Sequence, residues 1–222
     1  MNIMNDYFIE NDAYIELIPV LAGIICYSKL NRLYKIFVWI LFFTFCLEVF
    51  KTYYGTHIHK GYNKIWTNLY NIVYFSFLFW IFYQKSTSQI FKNIIKGIVI
   101  IYLIGIGYEL AIVKVDYHTN NQVIPYIVGG LGIIFCVFNY LYSIIKSKTI
   151  INIYDDFFFW FVTAHFIYFL AFTPFRISEN YFAVSLEFKV TFRIKIIATF
   201  LKLILLSIGF LWTTRNKQTS LQ

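Results

Sequence analysis

Charged residues are scarce for the length of this chain, and their scarcity excludes an ordinary soluble domain. Asp, Glu, Lys and Arg make up 14% of the 222 residues, whereas hydrophobic residues make up 59% and aromatic residues 23%. A soluble domain carries about 25% charged residues, and polar residues interrupt its apolar ones at the period of a helix or a strand. Here the apolar residues form long blocks, which is typical of a chain that lies in a membrane.

Cysteines are few, and catalytic motifs are missing. Cys26, Cys46 and Cys136 all lie inside apolar blocks, at spacings that suit neither a disulfide framework nor a metal site. The sequence contains no HExxH, GxSxG or phosphate-loop motif. We therefore expect that the protein is not an enzyme and that it binds no cofactor.

Seven apolar blocks occupy nearly the whole chain. A spanning helix needs about 20 apolar residues, because each residue advances about 1.5 Å through roughly 30 Å of hydrocarbon. The predicted spans are 13–28, 34–54, 64–83, 91–113, 123–145, 157–172 and 191–212. The sequence therefore predicts an all-α, polytopic bundle of seven transmembrane helices that forms a single domain over residues 1–222.

Basic residues around the first span predict the orientation. No Lys or Arg precedes this span, whereas Lys29, Arg32 and Lys35 follow it, and such loops stay on the cytoplasmic side. We expect the N-terminus outside and the C-terminus in the cytoplasm of a bacterial-type inner membrane. The net charge of +8 is spread over every loop, which favours contact with membrane lipid and argues against nucleic acid.

The longest outer connection, residues 173–190, permits two interpretations. Apolar and polar residues alternate from Phe182 to Val190, as in a short strand over the outer mouth of the bundle. The alternative is a helix that begins early and continues into the seventh span.

Ionisable and amide side chains inside the spans are the candidate functional residues. Glu48, Asn71, His165 and Lys202 lie in four different spans, and Asn68 precedes Asn71 by one turn. An ionisable group in mid-membrane costs about 2.5–3.5 kcal/mol, so it faces the bundle interior and marks a functional site by default. We predict that Glu48 and Lys202 belong to one buried polar cluster. This cluster is either an outward-open ligand site or a hydrogen-bonded lock between helices.

Lys195 extends the candidate site outward along the seventh span. It lies seven residues before Lys202, and therefore on the same helical face, with Thr199 between them. Such a basic stripe suits an anionic ligand or a lipid headgroup, and the alternative is interfacial anchoring by Lys195.

Metal and retinal sites are not expected. His57, His59 and His118 fall in outer loops at a spacing that is a weak signal for a metal. A lysine midway along the last of seven helices invites comparison with microbial rhodopsins. However, Ala198 stands one turn before Lys202, where a retinal protein supplies a carboxylate counter-ion.

Three segments carry a resemblance to a group of known proteins. They are Glu48 late in the second span, the segment Asn68-Leu69-Tyr70-Asn71 opening the third, and Asp156-Phe157-Phe158-Phe159-Trp160 leading into the sixth. With these features the chain resembles small seven-helix membrane proteins of Bacteroidetes that are often encoded beside sensor histidine kinases. The resemblance implies a signalling or accessory role by association.

The sequence thus favours a non-enzymatic membrane sensor or signalling accessory with a polar cavity in the outer half of the bundle. Its expected partners are membrane lipid, a cytoplasmic signalling protein such as a kinase, and further copies of the same chain in a homo-oligomer. Two alternatives stay open. One is a small transporter or channel that uses Glu48, His165 and Lys202, and the other is a membrane effector of a bacterial defence system.

Overall fold

The structure is a computed structural model that describes residues 14–54, 64–146, 153–181 and 186–219. These residues contain seven α-helices, which confirms the predicted all-α class. The helices are α1 (Leu17–Cys26, extended by the 3-10 turn Tyr27–Lys29), α2 (Arg32–Tyr53), α3 (Lys64–Lys85), α4 (Gln89–Tyr108, extended by the π-helical turn Glu109–Val113), α5 (Ile124–Lys146), α6 (Phe157–Tyr181) and α7 (Leu186–Thr219).

Six of these helices, α2 to α7, are long and apolar enough to cross a membrane. The chain is therefore a multi-pass membrane protein by the length and composition of its helices. Helix α1 is the exception, because its apolar stretch Leu17–Lys29 is about 20 Å long at 1.5 Å per residue. We call the end of the bundle that carries Lys29 and Lys35 the inner end, after the predicted orientation.

The sixth and seventh helices are longer than predicted. The sequence predicts that the sixth span ends at Phe172, before Pro174, but α6 continues to Tyr181. Proline removes one backbone hydrogen bond, yet a helix in a membrane tolerates it where neighbouring groups satisfy the freed carbonyl. Helix α7 begins at Leu186, so the helical alternative for the outer connection is confirmed from there onward. Residues 182–185 lie outside the described part.

Helix α1 packs beside α7, and the two run in the same direction. Ile15 lies against Thr199 near the outer end, and Cys26 Sγ lies 3.1 Å from Thr214 Oγ1 near the inner end. Gly23 permits the close approach of α1 to α2, because a Cβ atom there would meet a Val38 methyl group at 2.7 Å. The first helix thereby closes the bundle against the last.

An aromatic plug fills the inner half of the bundle. It consists of six phenylalanines from α2, α3, α6 and α7: Phe37, Phe82, Phe157, Phe158, Phe161 and Phe210. Each is at most 2% exposed. Neighbouring ring centroids within the plug lie 4.3–6.3 Å apart, in the range of favourable aromatic pairs. The plug is a dense apolar layer that joins four helices.

A clasp centred on two aspartates ties the inner ends together. Asp156 Oδ1 accepts hydrogen bonds from the Tyr34 hydroxyl of α2 at 2.8 Å and from the Phe158 N–H of α6 at 3.0 Å. Lys85 of α3 lies 3.7 Å from Asp156 Oδ2. Trp212 of α7 donates to Asp155 Oδ1 at 3.3 Å. We call this group the Asp156 clasp, comprising Tyr34, Lys85, Asp155, Asp156 and Trp212.

Candidate functional site: a polar cluster in the centre of the bundle

Lys202 is buried midway along α7 and lies against two tyrosine rings. It is 6% exposed, and its ammonium nitrogen is 4.3 Å from the ring centroid of Tyr168 and 5.6 Å from that of Tyr74. Cation–π contacts of this kind gain strength when they are desolvated. Among the described residues no carboxylate oxygen lies within 4 Å of this ammonium group.

Two carboxylates act on Lys202 from a greater distance. Glu16, at the start of α1, and Glu48, on α2, both interact electrostatically with it. Glu48 forms its ion pair with Lys51, one turn along the same helix. The sequence predicted that Glu48 and Lys202 share a cluster, and the structure brings them within electrostatic range without a direct ion pair.

His165 is fully buried on α6 and uses both ring nitrogens. Nδ1 lies 2.7 Å from the carbonyl oxygen of Phe161, and Nε2 lies 2.7 Å from the hydroxyl of Tyr74 on α3. A carbonyl oxygen can only accept, so Nδ1 carries the proton, and in the neutral ring Nε2 accepts from Tyr74. Tyr74 therefore contacts His165 with its hydroxyl and Lys202 with its ring.

Tyr74, His165 and Lys202 lie at one level of the bundle. Each is nine to eleven residues from a member of the Asp156 clasp that lies on its own helix or immediately before it. At 1.5 Å per residue this distance is about 14–17 Å, or roughly half of the hydrocarbon thickness of a bilayer. Because the aromatic plug lies between this level and the inner end, the polar groups of the site face only the outer half.

A second buried cation lies farther out. Arg176 on α6 is 4% exposed, and its guanidinium carbon is 4.9 Å from the ring centroid of Tyr126 and 5.2 Å from that of Phe172. The rings of Tyr126 and Tyr168 both pack against Phe172, with centroids 5.2 and 4.9 Å from the Phe172 centroid. The tyrosine pair thus connects the surroundings of Arg176 with those of Lys202.

Lys195 lies outward of Lys202 on α7, as predicted from their spacing. Its ammonium nitrogen is 5.1–5.6 Å from the ring centroids of Phe172, Phe175 and Phe192. A narrow cleft between α7 and the residue Ile15, just before α1, begins at this point, and its lining residues are Ile15, Lys195, Ile196, Thr199, Phe200 and Leu203. Lys202 lies about one turn inward of Thr199 along α7 and is not itself part of the cleft lining.

Of the two predicted asparagines, Asn68 contacts a different part of the bundle. Asn68 Nδ2 donates to the carbonyl oxygens of Tyr117 at 3.1 Å and Asn120 at 2.8 Å, and its Oδ1 accepts from Gln122 N–H at 2.9 Å. Asn68 therefore fastens the connection between α4 and α5 to α3. Asn71 is 5% exposed, and its Nδ2 has no hydrogen-bond partner among the described residues. Within the described ranges no hydrogen bond joins either asparagine to Lys202 or His165.

Glu109 is a buried carboxylate with a structural role that its helix-end position did not reveal. Its Oε1 accepts from the N–H groups of Val123 at 2.9 Å and Ile124 at 2.6 Å, and its Oε2 accepts from the Tyr117 hydroxyl at 2.7 Å. It caps the N-terminus of α5, where a negative charge interacts favourably with the helix dipole. Burial and the neighbouring carboxylate raise the pKa of Tyr117, which therefore stays protonated and donates.

The outer connection between α4 and α5 holds one of the three predicted loop histidines. The backbone N–H of His118 and the hydroxyl of Thr119 donate to Asp116, and these bonds lower the pKa of that exposed carboxyl. Within the described ranges no three His, Cys, Asp or Glu side chains are grouped as they would be around a metal ion. His57 and His59 lie outside the described residues.

Sequence reasoning missed Glu16, Arg176 and Tyr126. Arg176 lies near a helix end, where a charged residue is ordinarily solvated, so its burial was not expected. The signal available for Arg176 was its position shortly after a run of aromatic residues in α6, since aromatic faces attract a guanidinium.

Comparison with known protein families, curated proteins and solved structures finds no match to this chain.

Proposed function

We propose that this protein is a non-enzymatic membrane sensor that binds a ligand from the outer side, at the polar cluster around Lys202. One observation carries the proposal. In the described part of the chain, the cluster of Tyr74, His165 and Lys202 is bounded on its inner side by the aromatic plug. A ligand that enters from the outer side and reaches Lys202 would stop there, which suits recognition better than passage.

The packing of α1 offers a route from the ligand to the inner end. Glu16 attracts Lys202 at the outer end of α1, and Cys26 contacts Thr214 at its inner end. A ligand that competes with Glu16 for Lys202 would shift α1 against α7. The movement would reach the α1–α2 connection, where Asn31 caps α2 through Tyr34 N–H at 3.0 Å.

The inner end is the proposed output surface. It carries Lys29, Arg32 and Lys35, which would face anionic lipid headgroups or a cytoplasmic partner such as a kinase. With this assignment the N-terminus lies outside and the C-terminus lies in the cytoplasm of an inner membrane. Helix α1 then crosses the membrane in addition to α2 to α7, which gives seven crossings. The resemblance to proteins encoded beside histidine kinases supports it by association.

Two single-cysteine variants test the outward-facing site. In a protein whose three native cysteines are replaced by alanine, Thr199→Cys is expected to react with a membrane-impermeant maleimide added from the outside. Ser207→Cys, buried one turn inward of Lys202, is expected to react from neither side. Reaction at position 207 from the inside would mean that the plug opens, and an unreactive position 199 would remove the outward site.

A transporter is the second candidate, and one feature favours it. Tyr74, His165 and Lys202 carry ionisable side chains at one level in mid-membrane, as in proton-coupled transporters. Proton flux into liposomes that contain the purified protein tests this alternative. We expect no flux above that of empty liposomes, and a flux abolished by His165→Phe would replace the sensor with a transporter.

A further inference from the structure

We propose that the ligand of this site is an anion, whose carboxylate or phosphate oxygens would lie against Lys202 and face Arg176 across the Tyr126–Tyr168 pair. This inference rests on the proposed function, because it names the chemical class that the sensor would bind. It begins with Lys202, which is 6% exposed and has no carboxylate within 4 Å among the described residues.

The surroundings of Lys202 leave its charge only partly compensated. Tyrosine faces attract an ammonium group, but a buried cation is stabilised fully only when an anion lies at hydrogen-bond distance. Glu48 is engaged by Lys51, and Glu16 acts on Lys202 only at longer range. An anionic ligand would supply the missing short contact, whereas a cationic ligand would be repelled.

Arg176 gives the site a second cationic end. Lys202 and Arg176 come from adjacent helices, and both are more than nine-tenths buried. Their contacts on Tyr168 and Tyr126 place them at the two ends of one tyrosine pair, whose hydroxyl groups can donate to ligand oxygens. A planar guanidinium suits bidentate binding of a carboxylate or phosphate.

The path to the site has the same electrostatic character. Lys195 and Thr199 line the outer cleft, and Lys202 lies inward of them, each about one turn from the next along α7. An anion moving inward would pass from one ammonium group to the next. A carboxylate or phosphate can come from a soluble compound or from a lipid headgroup, since the cleft lies at the outer half of the bundle.

Paired probes test the charge requirement. The protein, reconstituted in nanodiscs of zwitterionic lipid, is heated in the presence of acetate, benzoate or inorganic phosphate, and in the presence of the neutral amides acetamide and benzamide. We expect at least one anion to raise the melting temperature saturably and its amide partner to leave it unchanged. Lys202→Met is expected to weaken the anion's effect by about tenfold or more, whereas Lys92→Met, at the inner end, leaves it intact.

Nanodiscs that contain phosphatidylglycerol distinguish the two sources. A melting temperature raised by this lipid alone, and lost in Lys202→Met, assigns a lipid headgroup. A shift seen only with added soluble anion assigns a solute.

The comparison of each anion with its neutral amide uses only the wild-type protein, so it remains informative if a variant fails to fold. The anionic class is overturned if neither the anions nor the anionic lipid shift the wild-type protein, if the amides act equally, or if the shift persists in Lys202→Met. If an amide raises the melting temperature and Tyr74→Phe abolishes that shift, the proposed sensor function stands and only the anionic class of the ligand is rejected. Reaction of Ser207→Cys from the inside would remove the sensor itself.

Discussion

The hydroxyl oxygen of Tyr74 lies 2.7 Å from Nε2 of His165, and both side chains are buried, at 4% and 0% exposure. This bond joins α3 to α6 directly above the aromatic plug. Since His165 Nδ1 is already engaged by a backbone carbonyl, Tyr74 is the partner that completes the imidazole. The pair sets the inward limit of the polar cluster.

Replacing Tyr74 by Phe is expected to destabilise the protein while preserving the ring that Lys202 contacts. His165 Nε2 would become a buried nitrogen without a partner, which costs about 1–3 kcal/mol. The melting temperature in detergent measures the loss. Tyr83→Phe is the matched control, because Tyr83 is only partly buried and packs at the inner end under Lys92 and Lys96. Equal losses in the two variants would contradict a special role for the Tyr74 hydroxyl.

Double-mutant cycles should separate the two carboxylates that act on Lys202. We expect Glu16→Gln to couple to Lys202→Met more strongly than Glu48→Gln does, because Glu48 is engaged by Lys51. Neighbouring groups in one network show coupling energies of about 0.5–3 kcal/mol. Denaturation midpoints of the single and double variants give both values. Strict additivity in both cycles would show that neither carboxylate supports Lys202.

Removing Asn68 is expected to loosen the connection between α4 and α5. Asn68→Ala loses three hydrogen bonds to the backbone of residues 117–122. Amide hydrogen exchange in this segment should therefore accelerate, with less change elsewhere. Asn93→Ala is the control, since Asn93 is exposed and its side chain accepts only from Gln89 among the described residues. Unchanged exchange in Asn68→Ala would mean that the segment is held by other contacts.

Glu109→Gln should weaken the cap of α5. The carboxamide keeps one acceptor oxygen but replaces the other with an amide group, which faces the Tyr117 hydroxyl where a charged acceptor stood. Hydrogen bonds to charged groups contribute about 1.5–3 kcal/mol, so we expect a loss in that range. Thermal unfolding measures the loss of stability in Glu109→Gln. The control is Asp116→Asn, a change at an exposed carboxylate in the same connection. A larger effect of the exposed change would refute the cap.

Reporter fusions test the proposed topology. Fusions after Asn31 and after Asn216 should report the cytoplasm, and a fusion after His118 should report the outside, because Lys and Arg follow the first helix but do not precede it. If α1 does not cross the membrane, the cytoplasmic assignment of the Asn31 and Asn216 fusions can still hold. A fusion at the N-terminus distinguishes the two topologies. It reports the outside if α1 crosses the membrane, and the cytoplasm if α1 does not.

Composition was enough to predict the helices, because the cost of polar backbone in hydrocarbon leaves few alternatives to long apolar helices. Their ends were harder to place. Pro174 indicated a helix end, yet α6 passes through it to Tyr181, since packing against α5 and α7 outweighs one missing hydrogen bond. The first helix is close to its predicted length, but that length alone does not decide whether it crosses.

The candidate site was predictable in its residues more than in its contacts. Lys202 and His165 were identified because ionisable groups in mid-membrane are costly, and both are buried. Lys202 was predicted to share a cluster with Glu48, but the ion pair with Lys51 was not, because the choice between the two lysines depends on helix rotation, which hydropathy does not encode. Asn68 and Asn71 share a helical face, and only the packed structure shows that this face meets the outer connection.

The cap that Glu109 places on α5 has a consequence for biogenesis. Until α5 arrives, the carboxylate at the end of α4 has neither of its two backbone donors, Val123 and Ile124. A nascent α4 would therefore keep this end in contact with water, and it would settle in the bilayer as a hairpin with α5 rather than alone. Insertion assays on α4 with and without α5 would show whether the two helices partition as one unit.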